Sequence, residues 1–146
     1  MKSNKAFLTR NNDQWETPKN IYEYFINKCG MIDFNPLCEN YENSLIKNFE
    51  CDLFCNPPFS NIEPFVDYMI SHYKKGYHVI MLLPVRTGTK WFKKILDHSN
   101  CRILFFTQRL KFSNKGSCPF DCMIVQFGLD INFSIQFIDR ELNIIK

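Results

Sequence analysis

The run at residues 78–83, HVIMLL, constrains the fold more than any other stretch of the chain. A strand with one wet face alternates apolar and polar residues. A continuous apolar run of strand length, stopped by Pro84, reads as a strand covered on both faces at the centre of a parallel sheet. Helices must then cross over the sheet, and the rest of the sequence supplies them. Thr17 at the cap and Pro18 in the first turn read as a helix start, with Ile21, Tyr22, Phe25 and Ile26 at helical spacing and Gly30 closing the segment. A short strand follows at 31–34, a break at Pro36 and a second short helix at 39–47. Residues 52–55 are a brief apolar strand. Asn61 is placed to cap a helix to about Tyr73, with Ile62, Phe65, Val66, Met69 and Ile70 on one face. Residues 89–97 read as helix, and 102–106, 122–127 and 133–138 as strands. The last two are expected to form a hairpin around Gly128, Leu129 and Asp130. The alternation predicts a compact α/β fold: a mostly parallel sheet, helices on both faces and an antiparallel C-terminal hairpin. In such sheets ligands sit beyond the carboxyl ends of the strands, so Asp33, Asn35, Asn56 and residues 84–86 are expected on one edge.

With 146 residues, 45% of them hydrophobic and 15 of them Phe, the chain has material for one packed domain spanning 1–146. Residues 1–12 are polar and are expected to be mobile. No apolar run reaches the ~18 residues of a membrane span, and the N-terminus has no signal-peptide core. Seven Cys in a chain of that kind point to reduced thiols in the cytoplasm, without disulfides. The net charge of +3 permits nucleic-acid binding without demanding it.

The chemistry lies in Asn56-Pro57-Pro58-Phe59, directly after the 52–55 strand. Two prolines supply no backbone donor, fix two φ angles and force Asn56 into an extended conformation. The expected product is a rigid turn whose carbonyls point outward, with an amide before it and an aromatic ring after it. Such a turn suits a planar base bearing an amine. The Asn56 side-chain oxygen and the Pro57 carbonyl accept hydrogen bonds from the amine, while Phe59 stacks on the ring. Two acceptors on those hydrogens localise a lone pair otherwise spread into the ring, aiming it at an in-line methyl donor.

With these segments the sequence resembles the phage-type DNA N6-adenine methyltransferases, within the amino-methyltransferases that carry Asp/Asn/Ser-Pro-Pro-Tyr/Phe/Trp. The resemblance rests on Gln14-Trp15-Glu16-Thr17-Pro18, Ile32-Asp33-Phe34-Asn35-Pro36 and Phe54-Cys55-Asn56-Pro57-Pro58-Phe59-Ser60. It extends through Leu82-Leu83-Pro84-Val85-Arg86-Thr87, Trp91-Phe92, Arg109-Leu110-Lys111-Phe112 and Pro119-Phe120. It implies a Rossmann-like class I methyltransferase sheet and S-adenosyl-L-methionine as methyl donor. It also implies a donor site of Trp15, Thr17, Pro18, Asp33, Asn35 and Pro36, catalysis at Asn56, Pro57, Pro58 and Phe59, and DNA contacts from Arg86, Arg109, Lys111 and Phe112. Asn35 stands where the family usually has Asp, and Pro36-Leu37-Cys38-Glu39 replaces the glycine-rich turn of larger members.

Other readings stand beside these. Trp15 plugs the edge of the core or lies over the donor; Asp33 is a strand-end turn residue or a ligand. Arg109 and Phe112 belong to a surface strand or touch substrate. Cys51-x3-Cys55 and Cys118-x3-Cys122 form two pairs, but their spacing is wider than a zinc knuckle and Cys55 and Cys122 fall in apolar strands, so no metal is expected. About twenty residues separate the Asp33 strand from Asn56, too few for the usual intermediate strands. That spacing keeps open a degenerate fold that binds nucleic acid or S-adenosylmethionine without turnover. Methylation of the cytosine amine or of adenine in RNA would use the same tetrapeptide. The expected partner is DNA, its adenine flipped out of the duplex or already single-stranded, with no membrane association. Sequence preference is expected from loops such as residues 113–119, with a homodimer as a further source. The expected place of action is the cytoplasm of a bacterial or virus-infected cell.

Overall fold

The structure, a computed structural model, describes residues 15–34, 44–112 and 116–145. Three helices and eight strands are described. Helix α1 is an α-turn over Lys19–Tyr22 that continues as a wider π-wound segment, Glu23–Lys28. Gly30, at φ 72°, lets the chain leave it in a left-handed conformation that a side chain would oppose. Strand β1 is Ile32–Asp33 and β2 is Leu53–Cys55. Helix α2 is Glu63–Lys74, β3 is Val79–Pro84, α3 is Lys90–Leu96 and β4 is Cys101–Phe106. A separate two-stranded ribbon pairs β5 (Lys111–Phe112) with β6 (Gly116–Ser117). Strands β7 (Cys122–Phe127) and β8 (Ser134–Ile138) complete the set.

The main sheet has six strands in the order β1-β2-β3-β7-β4-β8. Only β7 runs against the others, antiparallel to both β3 and β4, while β4 pairs with β8 in parallel. The predicted mixed α/β architecture and the central place of residues 78–83 agree with this: all six residues of β3 are buried. The predicted C-terminal hairpin does not. Strands β7 and β8 are not neighbours, because β4 lies between them. The physical reason is burial: CMIVQF is nearly as apolar as β3 and is buried in all but one position, so it fills the space between two long parallel strands. Strand β8 alternates in exposure and takes the edge.

The sheet is covered on both faces. On one, Tyr73 of α2 stacks on Phe127 with ring centroids 5.0 Å apart. Lys94 of α3 reaches Asp67 of α2 at 2.8 Å, so α2 and α3 share this face, as right-handed crossovers require. On the other, Phe25 of α1 stacks on Phe54 at 5.6 Å; the register Leu53↔Val79 and Val79↔Phe127 puts Phe54 and Phe127 on opposite faces. The predicted helix at 39–47 falls mostly outside the described residues, and so does the mobile segment predicted at 1–12.

Two expected helix caps are absent. Neither Thr17 nor Asn61 caps: α1 and α2 begin with Pro18 and Ile62 at the cap positions, without a side-chain bond. Thr89 does cap α3, its hydroxyl accepting from Phe92 N at 3.3 Å.

Candidate active site

Strands β1, β2 and β3 are parallel, so their carboxyl ends share one edge, and the chain delivers Asp33, Asn56 and Arg86 there. Asp33 is half-buried at the end of β1. The register Asp33↔Phe54 sets it beside the end of β2, and its charge, added to the larger effect of complete burial, holds the Cys55 thiol well above its usual pKa.

Pro57, Pro58 and Phe59 are buried and Asn56 is half-buried. The turn is rigid for more reasons than its prolines. Asn61 N donates to Pro58 O at 3.1 Å, and Arg86 Nη1 donates to Phe59 O at 2.7 Å. This corrects the expectation of outward, unpaired carbonyls, since two of them are bound within the protein. Arg86, assigned to DNA, ties the loop after β3 to the turn, and its guanidinium lies 5.4 Å from the centre of the Phe120 ring.

The Asn56 amide is fixed from the N-terminal side. Its Nδ2 donates to the Trp15 carbonyl and, at 3.0 Å, to Thr17 Oγ1. A carbonyl only accepts, so the amide nitrogen and not the oxygen must face Trp15. Thr17 and Pro18, assigned to the methyl donor, therefore lie at this edge, with Pro18 buried and the Thr17 hydroxyl turned to Asn56.

Phe59 is only 3% exposed. Its ring is enclosed by Trp15 (6.4 Å, near-parallel at 22°), Phe112 (6.2 Å, perpendicular) and Phe120 (5.5 Å, tilted). Trp15 also meets Phe112 and Phe120 edge-on, at 5.3 and 5.9 Å. Phe112 of the two-stranded ribbon thus turns inward, while Lys111 beside it and Arg109, two residues ahead of the ribbon, are exposed. The structure brings together Trp15, Thr17, Asn56, Phe59, Arg86 and Phe112, and adds Phe120, to which the sequence reading gave no role. Asn35 and Pro36 lie outside the described residues.

A cavity of about 320 Å³ lies elsewhere, between α1, the sheet and the C-terminal residues, bordered by Asp52, His78, Arg102 and Gln126. None of the predicted site residues among the described residues borders it. Among the described residues no group of three or more His, Cys, Asp or Glu is placed to hold a metal ion. The Cys118 and Cys122 sulfurs are 3.9 Å apart and both thiols are buried.

A family model described as DNA N-6-adenine-methyltransferase (Dam) matches residues 4–141, nearly the whole chain. The chain belongs to this family. Among Dam relatives, a "DNA N-6-adenine-methyltransferase" of Escherichia phage T1 is 28% identical over 93 residues, covering 55% of this chain and 39% of the phage protein. The chain thus spans about two fifths of that relative's length. A solved structure titled for the complex assembly and conformational transition of a type I R-M system aligns with 70% of this chain and 26% of its own. The TM-score is 0.46 and the identity 16%. No helix among the described residues is long and apolar enough to cross a membrane.

Proposed function

We propose that this Dam-family chain transfers a methyl group from S-adenosyl-L-methionine to the N6 amine of adenine in DNA, with Asn56-Pro57-Pro58-Phe59 as the reaction centre. One observation carries the reading. The Asn56 amide nitrogen is engaged by Trp15 O and Thr17 Oγ1, which turns the amide oxygen, buried in the free protein, away from them; that oxygen is read as the acceptor for the incoming amine. The Pro57 carbonyl is the second acceptor, since those of Pro58 and Phe59 are bound within the protein. The two hold the amine hydrogens and concentrate its lone pair opposite the hydrogen-bonded side. The new bond forms between N6 and the methyl carbon, and a proton from the amine passes to solvent.

The residues at the edge fit the methyl donor. Asp33 offers a carboxylate for ammonium or ribose hydroxyls one strand away from Asn56, and half-buried Trp15 offers apolar surface. When bound, the donor supplies an electrophilic methyl on a sulfonium, whose sulfur departs as a neutral thioether. The fold is then a short form of the Rossmann-like class I methyltransferase sheet, with β1 and β2 as direct neighbours. The adenine arrives flipped out of a duplex or from a single strand. Lys111, exposed on the ribbon, and Arg109, exposed just before it, lie against its phosphates, and a homodimer extends the DNA contact. The setting is the cytoplasm of a bacterial or virus-infected cell. Phe59, in its aromatic enclosure, is the floor of the turn; a base can stack on it only after Trp15 moves.

The test is incubation with labelled methyl donor and unmethylated DNA, followed by nucleoside analysis. N6-methyladenine supports the reading. Label in methylated cytosine, or in RNA alone, overturns the substrate. Binding of donor and DNA without transfer identifies a binding protein instead.

A further inference from the structure

We infer that Thr17 is a positioning residue that sets which end of the Asn56 amide faces the substrate amine; the inference rests on the methyl-transfer reading above. The two ends of an Asn amide are nearly equal in size, so packing alone chooses poorly between them. The choice decides the chemistry. With the oxygen forward, Asn56 accepts a hydrogen from the amine. Rotated by half a turn, it presents N–H to N–H, a repulsive contact that also removes the acceptor.

The segment before α1 makes the choice. The Trp15 carbonyl and the Thr17 hydroxyl oxygen, the latter at 3.0 Å, both accept from Nδ2. The carbonyl is a main-chain group and survives any substitution at residue 15. The hydroxyl belongs to a side chain and can be removed. Thr17 has a further mark of this role: it stands in sequence where a helix cap is expected, yet α1 has no side-chain cap and the hydroxyl is turned to residue 56, 39 positions away. A cap hydroxyl accepts from the first turn of its own helix. Here the oxygen lies within hydrogen-bond distance of the Asn56 amide instead.

Thr17→Val keeps the branched shape and removes the oxygen; Thr17→Ser restores it. The first readout needs no DNA: hydrogen exchange of the Asn56 side-chain amide, followed by nuclear magnetic resonance with ¹⁵N-labelled asparagine. The signal is assigned by its loss in Asn56→Ala. It is expected to exchange slowly in the wild type and in Thr17→Ser, and at least ~10-fold faster in Thr17→Val. The second readout is turnover at saturating donor and DNA, expected to fall ~10-fold in Thr17→Val, as loss of one hydrogen bond to a positioned group implies. Thr17→Ser should recover most of it, with donor Kd unchanged in both.

Exchange in the wild type as fast as at an exposed Asn overturns the proposal, as does unchanged turnover in Thr17→Val. A weaker donor Kd with intact saturated turnover assigns Thr17 to the methyl donor and also overturns it. A wild-type protein with a protected amide that methylates no DNA overturns the methyltransferase reading while upholding the bond from Thr17 to Asn56.

Discussion

Replacing Phe59 by Ala separates two roles for the ring that follows the double proline. As an exposed platform for a base, it would contribute little to stability. As the floor of the turn, it is part of the core. The structure gives it 3% exposure and three aromatic neighbours between 5.5 and 6.4 Å. Truncating a buried Phe to Ala loses its transfer free energy and leaves a cavity, together about 3–5 kcal/mol. Two prolines and two buttressing carbonyl bonds limit how far this wall can collapse, which argues for the upper half of that range. In a domain of this length each kcal/mol moves Tm by about 2–4 °C, so the fall should be roughly 8–20 °C. Equilibrium urea unfolding followed by far-UV dichroism and by tryptophan fluorescence reads both the free energy and, through Trp15, the integrity of the cluster. Phe59→Leu, which fills much of the space, should lose clearly less. A loss under about 1 kcal/mol for Phe59→Ala would refute the enclosed ring. Phe59 would then be open to a base in the free protein, as its place in the sequence implied.

Two further predictions concern charge. His98 Nδ1 is 2.8 Å from the Tyr73 hydroxyl, and its pKa is lowered from the ordinary 6.5 by partial burial first and by Lys74 second, with Asp97 opposing. A depressed folded pKa means that the neutral ring is the stabilising form. Its contribution is complete above about pH 6.5 and is lost as pH falls through the lower folded value. Unfolding measured from pH 7.5 to 5 should therefore show a decline that His98→Gln lessens; an equal decline in both removes His98 from the account. Arg109→Ala, losing an exposed charge just before the ribbon, should weaken DNA binding, lower the slope of log K against log salt by about one and leave donor affinity unchanged. An unchanged slope would place Arg109 away from the phosphates.

What was legible in the sequence was what local chemistry decides. Pro57 and Pro58 have no N–H for a ladder and end a strand, and the apolar run before them favours one, so the Asn56-Pro57-Pro58-Phe59 segment could be placed at a sheet edge from residues alone. The central position of β3 followed from its unbroken apolar run. The same signal in CMIVQF should have put β7 inside the sheet, but closeness along the chain favoured a hairpin with β8; strand order depends on non-local pairing that adjacency does not reveal. Thr17 was misread as a cap for a related reason: a hydroxyl before a helix has two possible acceptor roles, and only the tertiary fold brings Asn56 within reach. Phe59 was expected to face outward because its three aromatic neighbours come from residues 15, 112 and 120, distant in sequence. Phe120 carried no signal beyond its place in the family resemblance.

The central claim is that Asn56 accepts a hydrogen bond from the amine that is methylated, and single-turnover methyl transfer tests it most directly. Wild type and Asn56→Ala, each in excess over unmethylated DNA at saturating donor, are compared by the rate at which N6-methyladenine forms. The change removes a half-buried amide at a sheet edge, so cooperative unfolding should persist with only a modest loss of stability. Loss of one preorganised contact to the transition state predicts a rate lower by ~10²–10³. Asn56→Ala protein that methylates adenine at close to the wild-type rate would contradict the account.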